Sequence, residues 1–366
     1  MHLGIEAVGM KHSGGAVVLM DVVRAALRNP QVERVSVFCS PGDTRRFSFP
    51  ASSRLHEVEC PDAEASVFRR IQWLTSGIQA ACRQQRIDVL LCMSGIGLAD
   101  VPVVSFVQQS LPMCPEALAL CDWKTRLRMR VIGGLMRQTA RRAKWVIAQT
   151  PTMREWTRDQ FGVPGERISV TEPWGDSIGM EGEAPSSLHA MLSAPQGRRI
   201  LYVGNTSAYK NVARLIRATQ ILRREFPETT LFLTCPPDHP FCREPGVTGL
   251  GYLSGPTLTA AFGYATVFTT ASLVESGNLT LVEALVAGTC IAAADRPYAR
   301  DLCHDAALYF DPLDPADVAR TLAPLMNDEV LRRQLAERGR QIATAGRQQR
   351  PYDKLIERTL GIAARG

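Results

Sequence analysis

Two glutamates in the second half of the chain have the residue type and the spacing to bind a sugar nucleotide. Seven residues separate Glu275 from Glu283, and between them the sequence changes from small polar residues to a helical pattern that begins near Asn278. Carboxylates accept hydrogen bonds from sugar and ribose hydroxyls, and the N–H groups at a helix start attract phosphates. On spacing alone, the two acids are also compatible with helix capping and a solvated surface.

The loop Gly204–Lys210 is a second candidate, because it follows an apolar run that is typical of a strand. It combines a glycine turn, the hydroxyls of Thr206 and Ser207, and a terminal lysine. A cation in this position can neutralise a diphosphate leaving group, although an isolated lysine at a helix start is usually solvated. Together with the glutamates, the loop indicates a phosphate-binding site.

The first half offers weaker candidates. Gly14 and Gly15 follow the first apolar run, where they permit close approach of a phosphate to the backbone or simply form a tight turn. Gln108 ends another strand-like run, at the position where a parallel sheet binds its ligands. His12 is a further polar candidate near the first glycines.

Apolar runs that alternate with helical patterns supply the scaffold for these residues. The clearest predicted strands are His2–Gly9, Val32–Cys39, Asp88–Met93, Pro102–Gln108, Lys144–Gln149, Arg199–Gly204, Thr230–Thr234, Thr266–Thr270 and Ala307–Phe310. The clearest predicted helices are Val17–Leu27, Ala63–Arg86, Val212–Phe226, Thr257–Tyr264, Pro315–Met326 and Asp328–Ala343, and Gly249–Leu253 is predicted as a turn. This alternation predicts an α/β protein with doubly wound parallel sheets.

The chain of 366 residues is too long for one ordinary domain. We predict one domain over residues 1–172 and a second over residues 198–350, joined by a linker at 173–197 that is rich in Gly, Pro and Ser. A helix at about 351–366 has no strand after it and can pack back on the first domain.

Composition narrows the class of protein. Hydrophobic residues make up 45% of the chain, but no apolar run approaches the roughly 20 residues that span a bilayer, and the start lacks the pattern of a signal peptide. The ten cysteines include no close CxxC pair, which favours reduced thiols in a cytoplasmic protein. Cys235 and Cys242 flank His239, but without a second ligand pair they indicate loop residues rather than a metal site.

The basic residues are concentrated in one segment. Between Trp123 and Trp145 lie eight Lys and Arg residues and no acid, in a helical pattern whose apolar stripe is Leu127, Val131, Ile132, Leu135 and Met136. Such a helix can lie on anionic lipid, or it can pack its stripe on the sheet. Nucleic acid is less favoured, because no aromatic platform or DNA-binding motif accompanies the charges.

Three segments together resemble the family 4 retaining glycosyltransferases of the GT-B fold, also described as glycosyltransferases group 1. They are LYVGNTSAYKNVARLIRA, ESGNLTLVEALVAGTCIAAADRPYARDL and DAALYFDPLDPADVA. They cover nearly the whole second half, whereas the first half resembles the family only in layout. The resemblance implies two Rossmann-like domains facing a cleft, with the acceptor bound by the first domain. It also implies a nucleotide-sugar donor and no metal or other cofactor.

The resemblance also assigns roles to individual residues. Lys210 would hold the donor diphosphate, Glu275 would contact the transferred sugar and Glu283 the ribose. The implied catalytic residues are Glu275, Lys210 and Gln108. The implied donor-binding residues are Gly14, Gly15, Gly204, Asn205, Lys210, Gly251, Tyr252, Leu253, Glu275, Asn278, Leu279, Thr280 and Glu283.

Two positions depart from the family pattern. Many members have an arginine directly after the glycine of the lysine loop, where this chain has Asn205, so one charge partner of the phosphates is replaced. Many also have a histidine at the end of a first-half strand, where this chain has Gln108. An amide can still hydrogen-bond to a sugar, but it cannot become charged.

The resemblance thus implies a metal-independent, retaining hexosyltransferase. Its donor would be a UDP- or GDP-sugar, and its acceptor a glycan or a polyprenyl-diphosphate-linked glycan in the synthesis of O-antigen, lipopolysaccharide or capsule. We expect a cytoplasmic protein with the basic segment as a peripheral contact to the inner face of the cell membrane, and no nucleic-acid partner. The alternatives are a sugar-nucleotide epimerase or a phosphorylase of the same fold, or a non-catalytic module that binds sugar nucleotides or membrane.

Overall fold

A computed structural model describes residues 1–10, 14–42, 47, 49–63, 66–176 and 188–364. His12 and residues 177–187 of the predicted linker therefore lie outside the described residues. The chain forms two compact units. The first comprises Met1–Met113, Lys124–Ser177 and Gln349–Gly366, and the second comprises Cys114–Trp123 and Ile178–Gln348.

Parallel strands form the sheet of the first unit. They are β1 (His2–Glu6), β2 (Arg34–Cys39), β3 (Leu55–Glu59), β4 (Val89–Cys92), β5 (Val103–Val107), β6 (Trp145–Ala148) and β7 (Ile168–Val170). Their order is β3-β2-β1-β4-β5-β6-β7, and all neighbours pair in parallel. Strand β4 at the centre is apolar and buried along its whole length, because helices cover both faces of such a sheet.

Helices of the first half of the chain follow these strands. They are α1 (Gly14–Arg28), α2 (Val67–Gln72), α3 (Ile78–Gln85), α4 (Pro115–Ala119), α5 (Trp123–Arg142) and α6 (Pro151–Phe161). Helix α1 begins at Gly14, three residues before the apolar pattern that predicts it. Gly14 and Gly15 are thus the first residues of a helix and not a separate turn.

The helix predicted over Ala63–Arg86 begins later, at Val67, and its hydrogen-bonding pattern changes within it. A π-helical segment, Trp73–Gly77, lies between α2 and α3. There the hydroxyls of Thr75 and Ser76 donate to the carbonyls of Ile71 and Gln72, at 2.8 and 2.7 Å. Hydroxyl groups that bond back to helix carbonyls compete with the backbone ladder, which accounts for the altered turn.

The second unit has a sheet of the same design. Its strands are β8 (Arg199–Tyr202), β9 (Thr230–Leu233), β10 (Val247–Gly249), β11 (Val267–Thr270), β12 (Ile291–Ala294) and β13 (Ala307–Phe310). They are ordered β10-β9-β8-β11-β12-β13 and all pair in parallel. The predicted α/β fold with two doubly wound sheets is confirmed. Strand β10 was missed, because three residues ending in glycine resemble a turn.

Helices of the second half complete the two units. They are α7 (His189–Ser193), α8 (Val212–Leu222), α9 (Gly255–Tyr264), α10 (Leu279–Ala287), α11 (Pro297–Cys303), α12 (Pro315–Asn327), α13 (Glu329–Gln348) and α14 (Pro351–Ala363). Helix α7 lies inside the predicted linker. Helix α8 ends four residues before the predicted Phe226. Helix α14 belongs to the first unit, where Asp353 pairs with Arg28 of α1 at 2.9 Å.

The segment Cys114–Trp123 belongs to the second unit, although first-unit residues precede and follow it. Its helix α4 packs against the 3₁₀ turn Ala208–Lys210. Glu116 of α4 accepts a hydrogen bond from Arg296 Nη2 at 3.0 Å. The sequence analysis assigned this segment to the first domain. Its contacts are with residues far away in the chain, and such contacts leave no signal in the local sequence.

Candidate functional site

The candidate site of the second unit lies where its strand order reverses. The chain leaves β8 for β9 on one side, whereas β11 lies on the other side of β8. In such sheets the loops after the two strands diverge and leave space for a ligand at their carboxyl ends. The lysine loop follows β8 and the first glutamate follows β11. A backbone hydrogen bond from Leu273 N to Tyr209 O, 2.9 Å long, joins the two loops.

Lys210 and Glu275 form an ion pair at this point. The Lys210 Nζ lies 2.5 Å from Glu275 Oε1, and the two side chains are only 16% and 14% exposed. Burial lowers the pKa of Lys210, but the opposing charge of Glu275 and the neighbouring Tyr209 outweigh it, so the pKa lies above its ordinary value. The lysine is therefore a fixed cation at the switch point.

The glycine turn before Lys210 is held by a buried tyrosine. Tyr202 OH donates to the carbonyl of Asn205 at 2.6 Å, and Gly204 N donates to Thr234 Oγ1 at 2.9 Å. Gly204 has a φ of +146°, and a Cβ there would lie 3.0 Å from the Tyr202 hydroxyl. Only glycine fits this turn without strain. Sequence analysis missed Tyr202, although its hydroxyl group ends the apolar run of β8.

The start of α10 supplies backbone donors, as predicted. Asn278 is the N-cap residue, and its side-chain oxygen accepts from Leu281 N at 3.2 Å and from Thr280 Oγ1 at 2.7 Å. The N–H groups of Leu279 and Thr280 belong to the first turn, where no intrahelical acceptor exists. They can therefore donate to an anion.

Glu283 lies in the second turn of α10, as the sequence predicted. It is half-buried, and burial raises its pKa to about 7. Leu281, Val282 and Leu285 face the core, whereas Leu279 and Val286 are only half-buried. The carboxyl group can accept a hydrogen bond from a hydroxyl group as an anion, and can donate one when protonated.

Residues after β10 lie at the same edge of the sheet as this candidate site. Gly251 has a φ of +74°, and its N–H donates to the carbonyl of Cys235 at 2.9 Å. Tyr252 is 77% exposed, whereas Leu253 is buried. Gly251 to Leu253 thus lie beyond the carboxyl ends of β9 and β10, which is the edge of the sheet that also carries Lys210.

Tyr298 is a further residue that sequence analysis missed. It is buried, and its hydroxyl donates to Ser272 O at 2.9 Å in the loop that carries Glu275. The DRPYARDL segment was quoted for the resemblance, but nothing in its pattern indicates that contact. Tyr298 holds the glutamate loop as Tyr202 holds the lysine loop.

In the first unit, a buried carboxylate marks the corresponding reversal between β1 and β4. Glu6 accepts from Ser94 Oγ at 2.6 Å, Ser94 N at 3.2 Å and Val8 N at 2.9 Å. Burial raises its pKa to about 7, against the opposing effect of these hydrogen bonds. Gln108 donates to Met93 O at 2.9 Å, so its amide is partly engaged by the backbone. Sequence analysis missed Glu6, an acid at the end of an apolar run.

The predicted basic segment forms a helix with two apolar faces. Ile132 and Leu135 pack against the core of the first unit, and Met136 is buried in it. On the other side Trp123, Leu127 and Val131 are 63%, 54% and 44% exposed. These three residues recur every four positions and so share one face of the helix. Exposed cations flank them, namely Lys124, Arg126, Arg128, Arg130, Arg137, Arg141, Arg142 and Lys144.

Two features are absent from the described part of the chain. In these ranges, no group of three or more His, Cys, Asp or Glu side chains is arranged to hold a metal ion. Among the same residues, no helix is long and apolar enough to cross a bilayer.

Comparison with known proteins adds family matches to this geometry. The model of Glycosyltransferase Family 4 matches residues 12–174, and that of Glycosyl transferases group 1 matches residues 197–328. Between them the two models span most of the chain. The gap between the two matches, residues 175–196, falls within the linker that the sequence predicts.

One curated relative and two solved structures illustrate the range of similar proteins. The phosphatidyl-myo-inositol mannosyltransferase of Mycolicibacterium smegmatis is 27% identical over 217 residues, which is 56% of this chain and 54% of that protein. The chain thus matches about half the length of this relative. HepE of Anabaena, solved with UDP-glucose, has a TM-score of 0.71 at 18% identity, covering 99% of each chain.

WaaG, described as a glycosyltransferase involved in lipopolysaccharide biosynthesis, is the second solved structure. It has a TM-score of 0.68 at 14% identity, covering 94% of this chain and 95% of its own. At such identities the two structures show a common fold only. The relationship in sequence is shown by the two family models. Two parallel Rossmann-like sheets, and matches to both halves of the family, show that this chain belongs to the family 4, group 1 glycosyltransferases of the GT-B fold.

Proposed function

We propose that the protein transfers a hexosyl group from a UDP- or GDP-sugar to a glycan or a lipid-linked glycan, with retention and without a metal ion. The observation that carries this proposal is the Lys210–Glu275 pair beside the first turn of α10. A cation, a carboxylate and backbone donors lie together at the switch point of the sheet. A donor with a diphosphate and a sugar needs these three groups.

The mechanism follows from the charges that develop during transfer. As the bond between the anomeric carbon and the diphosphate oxygen breaks, negative charge grows on the departing diphosphate. Lys210 and the N–H groups of Leu279 and Thr280 would stabilise that charge, while Glu275 accepts hydrogen bonds from sugar hydroxyls. The acceptor oxygen then bonds to the same face of the sugar, and its proton passes to the leaving phosphate oxygen.

The other assignments complete the proposed donor site. Glu283 would accept from the ribose, and Gly251, Tyr252 and Leu253 would border the base. Asn205 cannot replace the charge of an arginine, so in this unit Lys210 would supply the positive charge for the diphosphate, together with the helix amides. The roles that the resemblance implies for Gly14, Gly15 and Gln108 in the first unit stay predictions.

We also propose that the exposed face of α5 rests on an anionic membrane and brings the protein to a lipid-linked acceptor. An apolar face bordered by cations suits the boundary between headgroups and acyl chains. Each cation near such a surface contributes about 1 kcal/mol. The relative named for a phosphatidylinositol substrate and the lipopolysaccharide enzyme WaaG support this choice of acceptor and a part in surface polysaccharide synthesis.

A nucleotide panel tests the donor. UDP, GDP and their hexose derivatives are added to the protein, and the melting temperature is recorded, because a ligand that binds the native state raises it. The stabilising sugar nucleotide is then incubated with polyprenyl-diphosphate-linked glycans, and the anomeric configuration of the product is read by NMR. An inverted product would contradict retention. Conversion of the donor into another sugar nucleotide without transfer would support an epimerase instead.

A further inference from the structure

A pair of thiols lies beside the candidate donor site. Cys235 follows β9 and is buried, and Cys242, in the 3₁₀ turn Pro240–Arg243, is half-buried. Their sulfur atoms are 3.6 Å apart. A disulfide needs about 2.0 Å between the sulfurs, so the two thiols are close enough to be joined after a small shift of the turn.

The backbone at Gly249 makes this approach possible. A Cβ at Gly249 would lie 2.8 Å from the sulfur of Cys242 and 2.9 Å from the carbonyl oxygens of Cys235 and Pro236. Any other residue would therefore push Cys242 out of its place. Because Gly249 has no side chain, it leaves the space that the sulfur of Cys242 occupies.

The loop that joins the thiols contacts two parts of the candidate site, the lysine loop and the segment after β10. His239 Nε2 and Thr206 Oγ1 of the lysine loop are 3.2 Å apart. The carbonyl of Cys235 accepts from Gly251 N at 2.9 Å. Movement of Cys242 toward Cys235 would draw the turn after His239 with it, because Cys242 N donates a hydrogen bond to His239 O at 2.8 Å.

We propose that Cys235 and Cys242 are a modification site, a dithiol that low-molecular-weight disulfides oxidise, and that the bond formed weakens donor binding. The effect on the donor rests on the proposed function. The Cys242 sulfur attacks one sulfur of the oxidant and expels the first small thiol, which takes the Cys242 proton. The Cys235 sulfur then attacks Cys242 in the mixed disulfide. The second small thiol leaves with the Cys235 proton, so two protein thiols are oxidised and one small disulfide is reduced.

The surroundings of the sulfurs favour this order. Cys242 is the more exposed of the two. Burial and the neighbouring Cys242 sulfur raise the pKa of Cys235 above its ordinary value. Because the thiolate is the attacking form, the exchange begins at Cys242 and ends at the buried sulfur.

The sequence allows a direct test on the full chain. Trypsin releases both cysteines, and no other, in the single peptide Glu225–Arg243. The protein is equilibrated with mixtures of reduced and oxidised glutathione, alkylated and digested. We expect the peptide to lose both alkylation sites and two hydrogens, reversibly with dithiothreitol. Two alkylated cysteines in every mixture would overturn the proposal.

A second readout measures the donor. The binding of UDP and GDP to oxidised protein should weaken by about fivefold, the effect of one lost hydrogen bond, and Cys242→Ser should be insensitive to oxidation. Cys114→Ser, which removes another half-buried thiol, should behave as wild type. Unchanged affinity in the oxidised protein would refute the regulatory role. If neither nucleotide binds the reduced protein, the proposed function fails, while the peptide still decides whether the dithiol exists.

Discussion

The Lys210 ammonium lies 2.5 Å from the carboxylate of Glu275, although the two residues are 65 positions apart in the sequence. Both side chains are largely buried, so each charge depends on the other for its neutralisation. Removing one partner of such a pair leaves an uncompensated charge and destabilises strongly. Glu275 thus supplies the negative charge that neutralises Lys210.

Lys210→Met should abolish most sugar transfer. The variant removes the proposed partner of the leaving diphosphate, and we expect turnover to fall by about 100-fold or more. Transfer is measured as release of nucleoside diphosphate. Lys354→Met, at an exposed lysine of α14, is the matched control and should keep full activity. Equal rates in the two variants, both folded by circular dichroism, would remove Lys210 from the mechanism.

Glu283 should make stability depend on pH. Its pKa rises from 4.5 to about 7 through burial, so between these values the native protein keeps a proton that the unfolded chain has released. Stability is then lost as the pH rises through this window. We expect Glu283→Gln to be more stable than wild type at pH 8, by about 1 to 3 kcal/mol, and to differ little below pH 4.5.

Thermal melting across the pH range measures the difference. The exposed Glu357 of α14 provides the control, and its glutamine variant should follow the wild-type curve. A constant difference between Glu283→Gln and wild type from pH 4 to 8 would show that Glu283 does not titrate in this window.

Gly204→Ala should disturb the lysine loop. Its φ of +146° is one that a residue with a side chain rarely adopts, and the new methyl group would meet the Tyr202 hydroxyl. We expect a loss of about 1 to 3 kcal/mol in stability and a higher KM for the donor. Gly263→Ala in α9 is the control, because nothing lies within 4 Å of its Cβ position. That change should stabilise by about 0.5 to 1 kcal/mol. Equal stability in the two variants would contradict the strain at Gly204.

The exposed face of α5 should hold the protein on anionic vesicles. Replacing Arg126, Arg128 and Arg130 by Gln removes three cations, and we expect vesicle affinity to fall on the order of 100-fold, at about 1 kcal/mol each. Flotation with phosphatidylglycerol vesicles measures the bound fraction. The same change at Arg333, Arg338 and Arg340 of α13 alters net charge equally and should leave binding unchanged. Equal loss in both variants would mean that only net charge matters.

Much of the fold could be predicted because the signals are local. Ala307–Phe310 is a strand with the predicted bounds. The position of Glu283 in the second turn of α10 followed from Asn278 and the apolar pattern after it. Strand β10 and the π-helical segment escaped prediction, since one is three residues long and the other depends on hydroxyl contacts with the backbone.

The candidate site was predictable as a set of loops but not as contacts. Lys210 and Glu275 were both selected, and a parallel sheet explains why their loops are near. Their ion pair, the hydroxyl of Tyr202 on Asn205 and that of Tyr298 on Ser272 join residues whose separation no periodicity reveals. The cysteine pair was recognised only as two thiols flanking a histidine, since sequence spacing does not give a distance between sulfurs.

The ten-residue segment Cys114–Trp123 has a consequence for any attempt to exchange halves between related enzymes. The chain passes between the two units four times and not once, since this segment returns to the second unit and α14 returns to the first. A chimera cut only at the linker would supply the Lys210 turn with a foreign α4 and leave Arg296 without its Glu116 partner. A chimera meant to exchange donor specificity should therefore replace two segments together, namely Cys114–Trp123 and the larger C-terminal part of the second unit.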